Sequence, residues 1–407
     1  MSGNEGSTAK AAAASALQPE LWTSSANEVL KLFVTDPEGA INFSPTFTYP
    51  IFGDAETIYG YKDLVIFLCF DHYTFRPFLN IKYSEKLDDS EIVDLKQTVT
   101  KFLPESTIFK DEEKWVDSIK EEKENNYQIP GELVKGPFEH DGSSYEIYKI
   151  NLKEAAGLEL HKRLQILVLL YIEAGSYIDA SDESWDLYVL YEKNEPEPSI
   201  VGFATAYNYW RYPGSAKFDE NLKETRMKIS QFVILPNHQG KGIGGAFYSQ
   251  LFDKWYEDDS IYEVVIEDPN EAFDDMRDRA DLTRLNKVLD FSKVTPSVDS
   301  KWVEETRHKL KLEKRQFARL LEIILLYKLK HTKEVSKKDV RLFIKRRLYI
   351  KNKDGLSTLD ENTRKDKLQT AYESLEEDYY RILGDIRLSV KRSGSEEESN
   401  DAKRLKV

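Results

Sequence analysis

The sequence carries a single cysteine in 407 residues, Cys69, which excludes an intrachain disulfide. Placed within the apolar run 64–70, it reads as a packed core thiol. The six histidines, at positions 72, 140, 161, 238, 308 and 331, include no pair three or four residues apart and have no cysteine partner, so no metal centre is expected. Long apolar stretches are also missing. The longest runs, 166–172 among them, hold seven residues, far short of the ~20 that span a bilayer, so no membrane span is expected. The first twenty residues lack a basic segment ahead of an apolar core, which argues against a secretory leader. No G-x-x-x-x-G-K-[ST] occurs, and a P-loop is excluded.

What is present describes a folded, acidic chain. Hydrophobic residues make up 40% and charged residues 32% of the sequence, a balance that suits a soluble globular protein rather than a disordered one. Lys and Arg number 58 against 72 Asp and Glu, for a net charge of −14, which fits a basic partner better than DNA. The length accommodates two to four domains of roughly 100–200 residues.

Periodicity divides the chain into an Ala- and Ser-rich disordered arm (1–18), a mixed α/β domain (19–150), a central α/β domain (151–295), a helical C-terminal region (296–390) and a charged, disordered tail (391–407). Within the first domain, 26–33 reads as helix and 64–70 and 78–83 as strands, with a turn-rich boundary at 121–142. In the second, a helical run over 158–174 precedes strands at 186–191, 200–206 and 228–235, a helix at 243–256 and a strand at 261–266. Residues 301–350 hold 16 Lys and Arg against 6 Asp and Glu, which reads as helices with solvated basic faces, or as a docking surface for an acidic partner.

The most informative stretch is 231–246 (QFVILPNHQGKGIGGA), where a strand enters a glycine-rich turn and a helix starts at once. Backbone N–H groups converge there at the positive end of a helix dipole, the arrangement that holds phosphate. Two nucleotide motifs fit. Gly240, Gly242 and Gly245 satisfy G-x-G-x-x-G, with Glu267 some twenty residues on, as in a Rossmann dinucleotide site. However, antiparallel strands precede this unit and helices follow it, where a Rossmann domain continues through further βα units. The other pattern is Gln-x-x-Gly-x-Gly, met by Gln239, Gly242 and Gly244, which resembles the acetyl-CoA pyrophosphate loop of the GNAT N-acetyltransferases.

Further segments sharpen this likeness. Residues 169–179 (LLYIEAGSYID) followed by Trp185, 207–212 (YNYWRY), 267–278 (EDPNEAFDDMRD) and 49–61 (YPIFGDAETIYGY) look like the type B histone acetyltransferase catalytic subunit, in a fungal-like form. The similarity spans about residues 20–330. It implies a central GNAT fold flanked by the mixed N-terminal domain and the C-terminal helices. It also implies acetyl transfer from acetyl-CoA, without a metal, to lysines in the N-terminal tail of newly made histone H-four, with histone H-three as the substrate's dimer partner.

The resemblance implies the site residues as well. Glu267 is the expected general base, with Glu173 and Asp268 as neighbouring carboxylates able to share the role. Acetyl-CoA would lie along Phe232, Val233 and Ile234, with its pyrophosphate on Gln239, Gly240, Lys241, Gly242, Ile243, Gly244 and Gly245 and a further contact from Asn270. The histone tail would rest against Asp54, Ala55 and Glu56 and against Tyr207, Asn208 and Tyr209. A WD-repeat β-propeller histone chaperone would dock on 209–217, and neither DNA nor membrane is an expected partner. Two other readings stand beside this one: a non-catalytic histone chaperone with a retained acetyl-CoA site, and the Rossmann oxidoreductase. Finally, Lys391 and Arg392 are separated by ten residues from Lys403, Arg404 and Lys406, a spacing that resembles a bipartite nuclear-import signal and implies residence in both nucleus and cytoplasm.

Overall fold

The computed structural model describes residues 18–389, apart from 37–38, 221–223 and 385. The N-terminal arm and the basic clusters at 391–407 therefore lie outside the described residues. The chain forms two compact units, one ending at Phe247 and the other starting at Tyr248, so the boundary falls within helix Ile243–Tyr256.

The first unit contains two large sheets beside two small ones of two strands each, Thr23–Ser25 with Thr57–Tyr59 and Tyr61–Lys62 with Glu85–Lys86. One large sheet has the strand order Gly39–Phe43, Leu30–Asp36, Val65–Phe70, Pro77–Lys82, Ile108–Phe109. Leu30–Asp36 runs parallel to Val65–Phe70 with Leu32 opposite Leu68. Period-2 alternation drives Leu30, Leu32 and Val34, together with Ile66, Leu68 and Phe70, into one core. This pairing overturns the expectation of helix over 26–33. Only Ala26–Val29 is helical, because cross-strand burial of the following alternating residues outweighs their local helical spacing. Cys69 is corrected too: it is half-buried on the opposite face of its strand, opposite Phe33 and Phe78, rather than packed in the core.

The second large sheet is a meander. Strands Glu132–His140, Ser143–Ile150, Trp185–Glu192, Ser199–Trp210 and Thr225–Ile234 pair antiparallel in chain order. The expected boundary at 121–142 is in fact the end of helix Glu112–Glu124 followed by the first of these strands. Residues 158–174 are not one helix either. Helices Ala155–Leu164 and Ile166–Tyr171 adjoin at Gln165, and Ile172 is already extended (φ −110°, ψ 120°), so Glu173 lies on a loop. Leu164, Ile166, Leu167, Val168 and Leu170 are buried in the same core cluster as Leu187, Val189, Phe203 and Val233 of the meander.

The second unit holds strand Ile261–Ile266, at the expected position, and a set of helices. Lys314–His331 is its most buried helix, with Leu320, Leu321, Ile323, Ile324, Leu325 and Leu326 all inside. Among the cations of 301–350, Arg307 and Lys328 are buried and Arg347 is half-buried, which corrects the reading of uniformly solvated basic faces. Arg307 donates to Glu263 at 2.9 Å, Arg347 reaches Glu322 at 2.6 and 2.7 Å, and Lys328 pairs with Glu334 at 2.8 Å. Buried charges persist only with such partners.

Candidate active site

The glycine turn is built from the strand that precedes it. In Thr225–Ile234 the alternation Met227, Ile229, Gln231, Val233 faces inward, and a single turn of 3₁₀ helix, Pro236–His238, redirects the chain. Gly240 and Gly242 then take φ of +74° and +77°, a region that L side chains enter only with strain. A Cβ on Gly240 would meet nothing within 4 Å, so the backbone conformation, not lack of space, selects glycine there. Gln239 closes the turn by donating from Nε2 to the Ile234 carbonyl at 2.7 Å. His140 braces it from the side, with Nε2 2.7 Å from the Lys241 carbonyl oxygen.

Gly240, Lys241 and Gly242 are exposed, and helix Ile243–Tyr256 begins beside them with the half-buried Gly244 and Gly245. The turn is open, short of side chains and placed at a helix start, with the exposed Lys241 at its centre. Those features fit a diphosphate. Phe232 is half-buried and its ring lies 5.2 Å from that of Phe247, while Val233 and Ile234 are buried.

A second group gathers around Glu173. The Thr46 and Phe47 amides donate to the Leu170 carbonyl, and the Tyr49 hydroxyl accepts from the Ala174 N–H, so the 44–56 segment is laced to the loop that bears Glu173. From the sheet side, Gln231 donates to the Ser176 carbonyl at 2.7 Å and accepts from Thr205 at 3.1 Å. Glu173 itself is exposed, as are Asp54 and Ala55. Glu56 is used differently from those two. One carboxylate oxygen accepts from the Thr48 and Tyr49 amides at 2.6 and 3.1 Å, the other from Asn27 at 3.0 Å, and its φ is +49°. The Thr48 amide chiefly, with the other donors, holds its carboxyl below the usual glutamate range. Glu56 thus shapes the turn on which Asp54 and Ala55 are displayed.

Tyr207 donates to Asp182 at 2.8 Å, packs edge-on against Trp185 at 4.8 Å and stacks with Tyr209 at 6.3 Å. The Asn208 amide donates to the Ser184 carbonyl at 2.8 Å. The Ser184 amide, followed by the Tyr207 hydroxyl, holds the Asp182 carboxyl low. Tyr207, Asn208 and Tyr209 are therefore a fixed, half-buried platform, continued by the exposed Trp210 and Tyr212.

Glu267, Asp268 and Asn270 form a group of their own in the second unit. Glu267 is exposed at the end of strand Ile261–Ile266. Asp268 takes φ +36°, the left-handed region in which Asp is tolerated better than most residues. Asn270 caps helix Glu271–Val288, its Oδ1 accepting from the Phe273 amide at 2.9 Å.

Sequence reading missed four residues that set this geometry: Tyr49, His140, Asp182 and Gln231. Only Gln231 left a signal, as the one polar side chain among the inward positions Met227, Ile229, Gln231 and Val233 of its strand. The others act across sequence separations that no local pattern records.

Comparison with known families agrees with this geometry. The profile described as histone acetyl transferase HAT1 N-terminus matches residues 22–173, the acetyltransferase (GNAT) family matches 147–273, and the fungal HAT1 C-terminal profile matches 278–330. The GNAT match covers the last three strands of the meander and the glycine turn, and antiparallel pairing ahead of that turn is inconsistent with a Rossmann domain. The histone acetyltransferase type B catalytic subunit of Candida albicans is 69% identical over 402 residues, covering 96% of this chain and 97% of that protein. Its counterpart in Debaryomyces hansenii is 59% identical (95% and 96% covered), and that in Kluyveromyces lactis 43% (96% and 99%). With relatives matched over nearly their whole length and a GNAT domain lying across the glycine turn, the chain is an acetyltransferase that belongs to the type B histone acetyltransferase catalytic subunit family.

Proposed function

We propose that the enzyme transfers acetyl from acetyl-CoA to lysines near the N-terminus of free, newly made histone H-four. The observation that carries this reading is the open glycine turn, with Gly240 and Gly242 in left-handed conformations at a helix start, in a chain whose relatives are named histone acetyltransferases. The pyrophosphate rests on residues 239–245, with Lys241 supplying charge. The pantetheine runs along Phe232, Val233 and Ile234 as an added strand would, and a backbone N–H there polarises the thioester carbonyl. Asn270 adds a contact from its capping position.

Transfer is a direct attack within a ternary complex. Glu267 takes the proton from the lysine ammonium, the neutral nitrogen forms its bond to the acetyl carbon, the carbon–sulfur bond breaks, and the departing CoA thiolate takes the second proton from that nitrogen to leave as the thiol. Glu173 and Asp268 are the alternative acceptors of the first proton. The tail is received by Asp54 and Ala55, on the turn that Glu56 holds, and by the Tyr207, Asn208 and Tyr209 platform, where carboxylates meet cations and ring faces meet lysine stems.

An acetyl-cysteine route is disfavoured by the chemistry of Cys69. Burial, with Glu112 adding to it, pushes this thiol up to about 12, so the reactive thiolate is scarce. Cys69→Ala is expected to keep turnover within about twofold of wild type. A folded Cys69→Ala protein that binds acetyl-CoA but does not turn over would refute direct attack.

Histone H-three enters as the dimer partner of the substrate, and a WD-repeat β-propeller chaperone docks on 209–217, where exposed Trp210 and Tyr212 cluster with the adjoining Phe218 at ring-centroid distances of 5.7–6.5 Å. The net charge of −14 favours the free histone over its DNA-wrapped form. Initial rates on free histone are expected to exceed those on nucleosomes at equal concentration. Equal rates would remove the preference for free histone. The basic clusters at 391–407 are proposed to give nuclear as well as cytoplasmic residence, and a reporter fused to those residues should enter the nucleus unless Lys403 and Arg404 are both changed to Ala. An evenly distributed reporter would remove that assignment.

A further inference from the structure

Strands Glu132–His140 and Ser143–Ile150 form a hairpin closed by Asp141 and Gly142, whose φ values are +49° and +84°. Two such residues make the tight turn whose twist matches paired strands. His140, opposite Ser143, is the last paired residue before it, so its backbone position is fixed by the ladder. Behind the tip, Phe138 stacks on Tyr145 at 5.7 Å and the His140 ring stands edge-on to Tyr145 at 6.5 Å. Tyr145 is buried and its hydroxyl reaches Glu192 at 3.5 Å. The hairpin therefore presents His140 on a packed aromatic base.

His140 meets the glycine turn, 101 residues away in sequence, at its most deformable point. Its Nε2 lies 2.7 Å from the Lys241 carbonyl oxygen, and ring atoms lie 3.4 Å from where a Gly242 Cβ would stand. A carbonyl oxygen only accepts, so Nε2 carries the proton in this contact. Lys241 stands between two left-handed glycines, a sequence with wide backbone freedom when untethered. A trans peptide is planar, with its C=O and N–H pointing in opposite directions. Fixing the Lys241 carbonyl on His140 therefore turns the Gly242 N–H away from His140 and keeps the carbonyl dipole out of the space a diphosphate would occupy.

We propose that His140 is a positioning residue for the acetyl-donor: it locks the Lys241–Gly242 peptide in the orientation that accepts pyrophosphate. The inference rests on the reading of this turn as the acetyl-CoA pyrophosphate site. It assigns no part in proton transfer to His140, and it makes the hairpin tip part of the coenzyme site.

The test uses the full chain and three substitutions, with acetyl-CoA affinity measured by calorimetry beside steady-state kinetics on histone. His140→Ala and His140→Phe remove the donor, the second keeping a ring. Both should raise the Kd and KM for acetyl-CoA about 3–10-fold, the usual size for one lost hydrogen bond, with kcat at saturation and the histone KM within about twofold of wild type. His140→Gln, whose amide can reach the same carbonyl, should recover most of the affinity. Gly242→Val serves as the control for the turn itself. If Gly242→Val weakens binding but His140→Phe binds as wild type does, the turn is the site and the role of His140 is wrong. If neither changes affinity, the reading of the turn fails first. A His140→Gln protein as weak as His140→Ala would overturn the hydrogen-bond role, and so would a fall in kcat and melting temperature with unchanged acetyl-CoA affinity.

Discussion

Glu267→Gln should lower turnover near neutral pH by at least ~10²-fold, the scale of a general-base contribution, while leaving acetyl-CoA affinity within about twofold. The obstacle to acetylating a lysine is its proton. With an ordinary pKa of about 10.4, only one amine in roughly 10³–10⁴ is neutral at pH 7, a cost of about 4.6 kcal/mol. Glutamine keeps the size and polarity of Glu267 but cannot take that proton. The residual activity should then follow the neutral fraction of the amine and climb about tenfold per pH unit towards the lysine pKa. The exposed position of Glu267, at the end of strand Ile261–Ile266, allows the proton to pass on to water. A variant retaining more than a third of wild-type turnover would move the base to Glu173 or Asp268.

The second large effect belongs to the glycine turn. Gly242→Val should weaken acetyl-CoA binding by about tenfold or more with the fold retained. At φ +77° an L residue pays about 1–2 kcal/mol, a factor of roughly 5–30 if it falls wholly on the binding-competent turn. The new Cβ would also lie 3.4 Å from the His140 ring, so the branch beyond it has to displace the brace on Lys241. Gly242 is exposed and outside the core, so the melting temperature should move by no more than a few degrees. Calorimetry showing wild-type affinity would place the coenzyme away from this turn.

The turn and its helix were legible because their determinants are local. A strand, a proline, four glycines and an apolar helical run follow one another, and the helix Ile243–Tyr256 and strand Ile261–Ile266 lie where periodicity places them. Residues 26–33 were misread for the opposite reason: Leu30 and Leu32 are held as strand by Ile66 and Leu68, over thirty residues away. The same limit applies to the site. Residue type and resemblance mark Glu56 as a ligand for the tail, but its oxygens are engaged by Thr48, Tyr49 and Asn27, a fact no spacing reveals. Likewise Asn270 is marked as a coenzyme contact, and the structure adds that it caps helix Glu271–Val288. Cations of 301–350 read as surface charge until buried carboxylates such as Glu263 and Glu322 are found beside them.

The most direct test of the account is to map acetylated positions by mass spectrometry after the pure chain acts on acetyl-CoA and free, full-length histone H-four, with Glu267→Gln run in parallel. The account predicts acetyl groups on lysines near the N-terminus of the histone, growing with time for the wild-type chain and at least ~10²-fold more slowly for the variant. Acetylation scattered over the histone's folded core, or equal accumulation with both proteins, would contradict it.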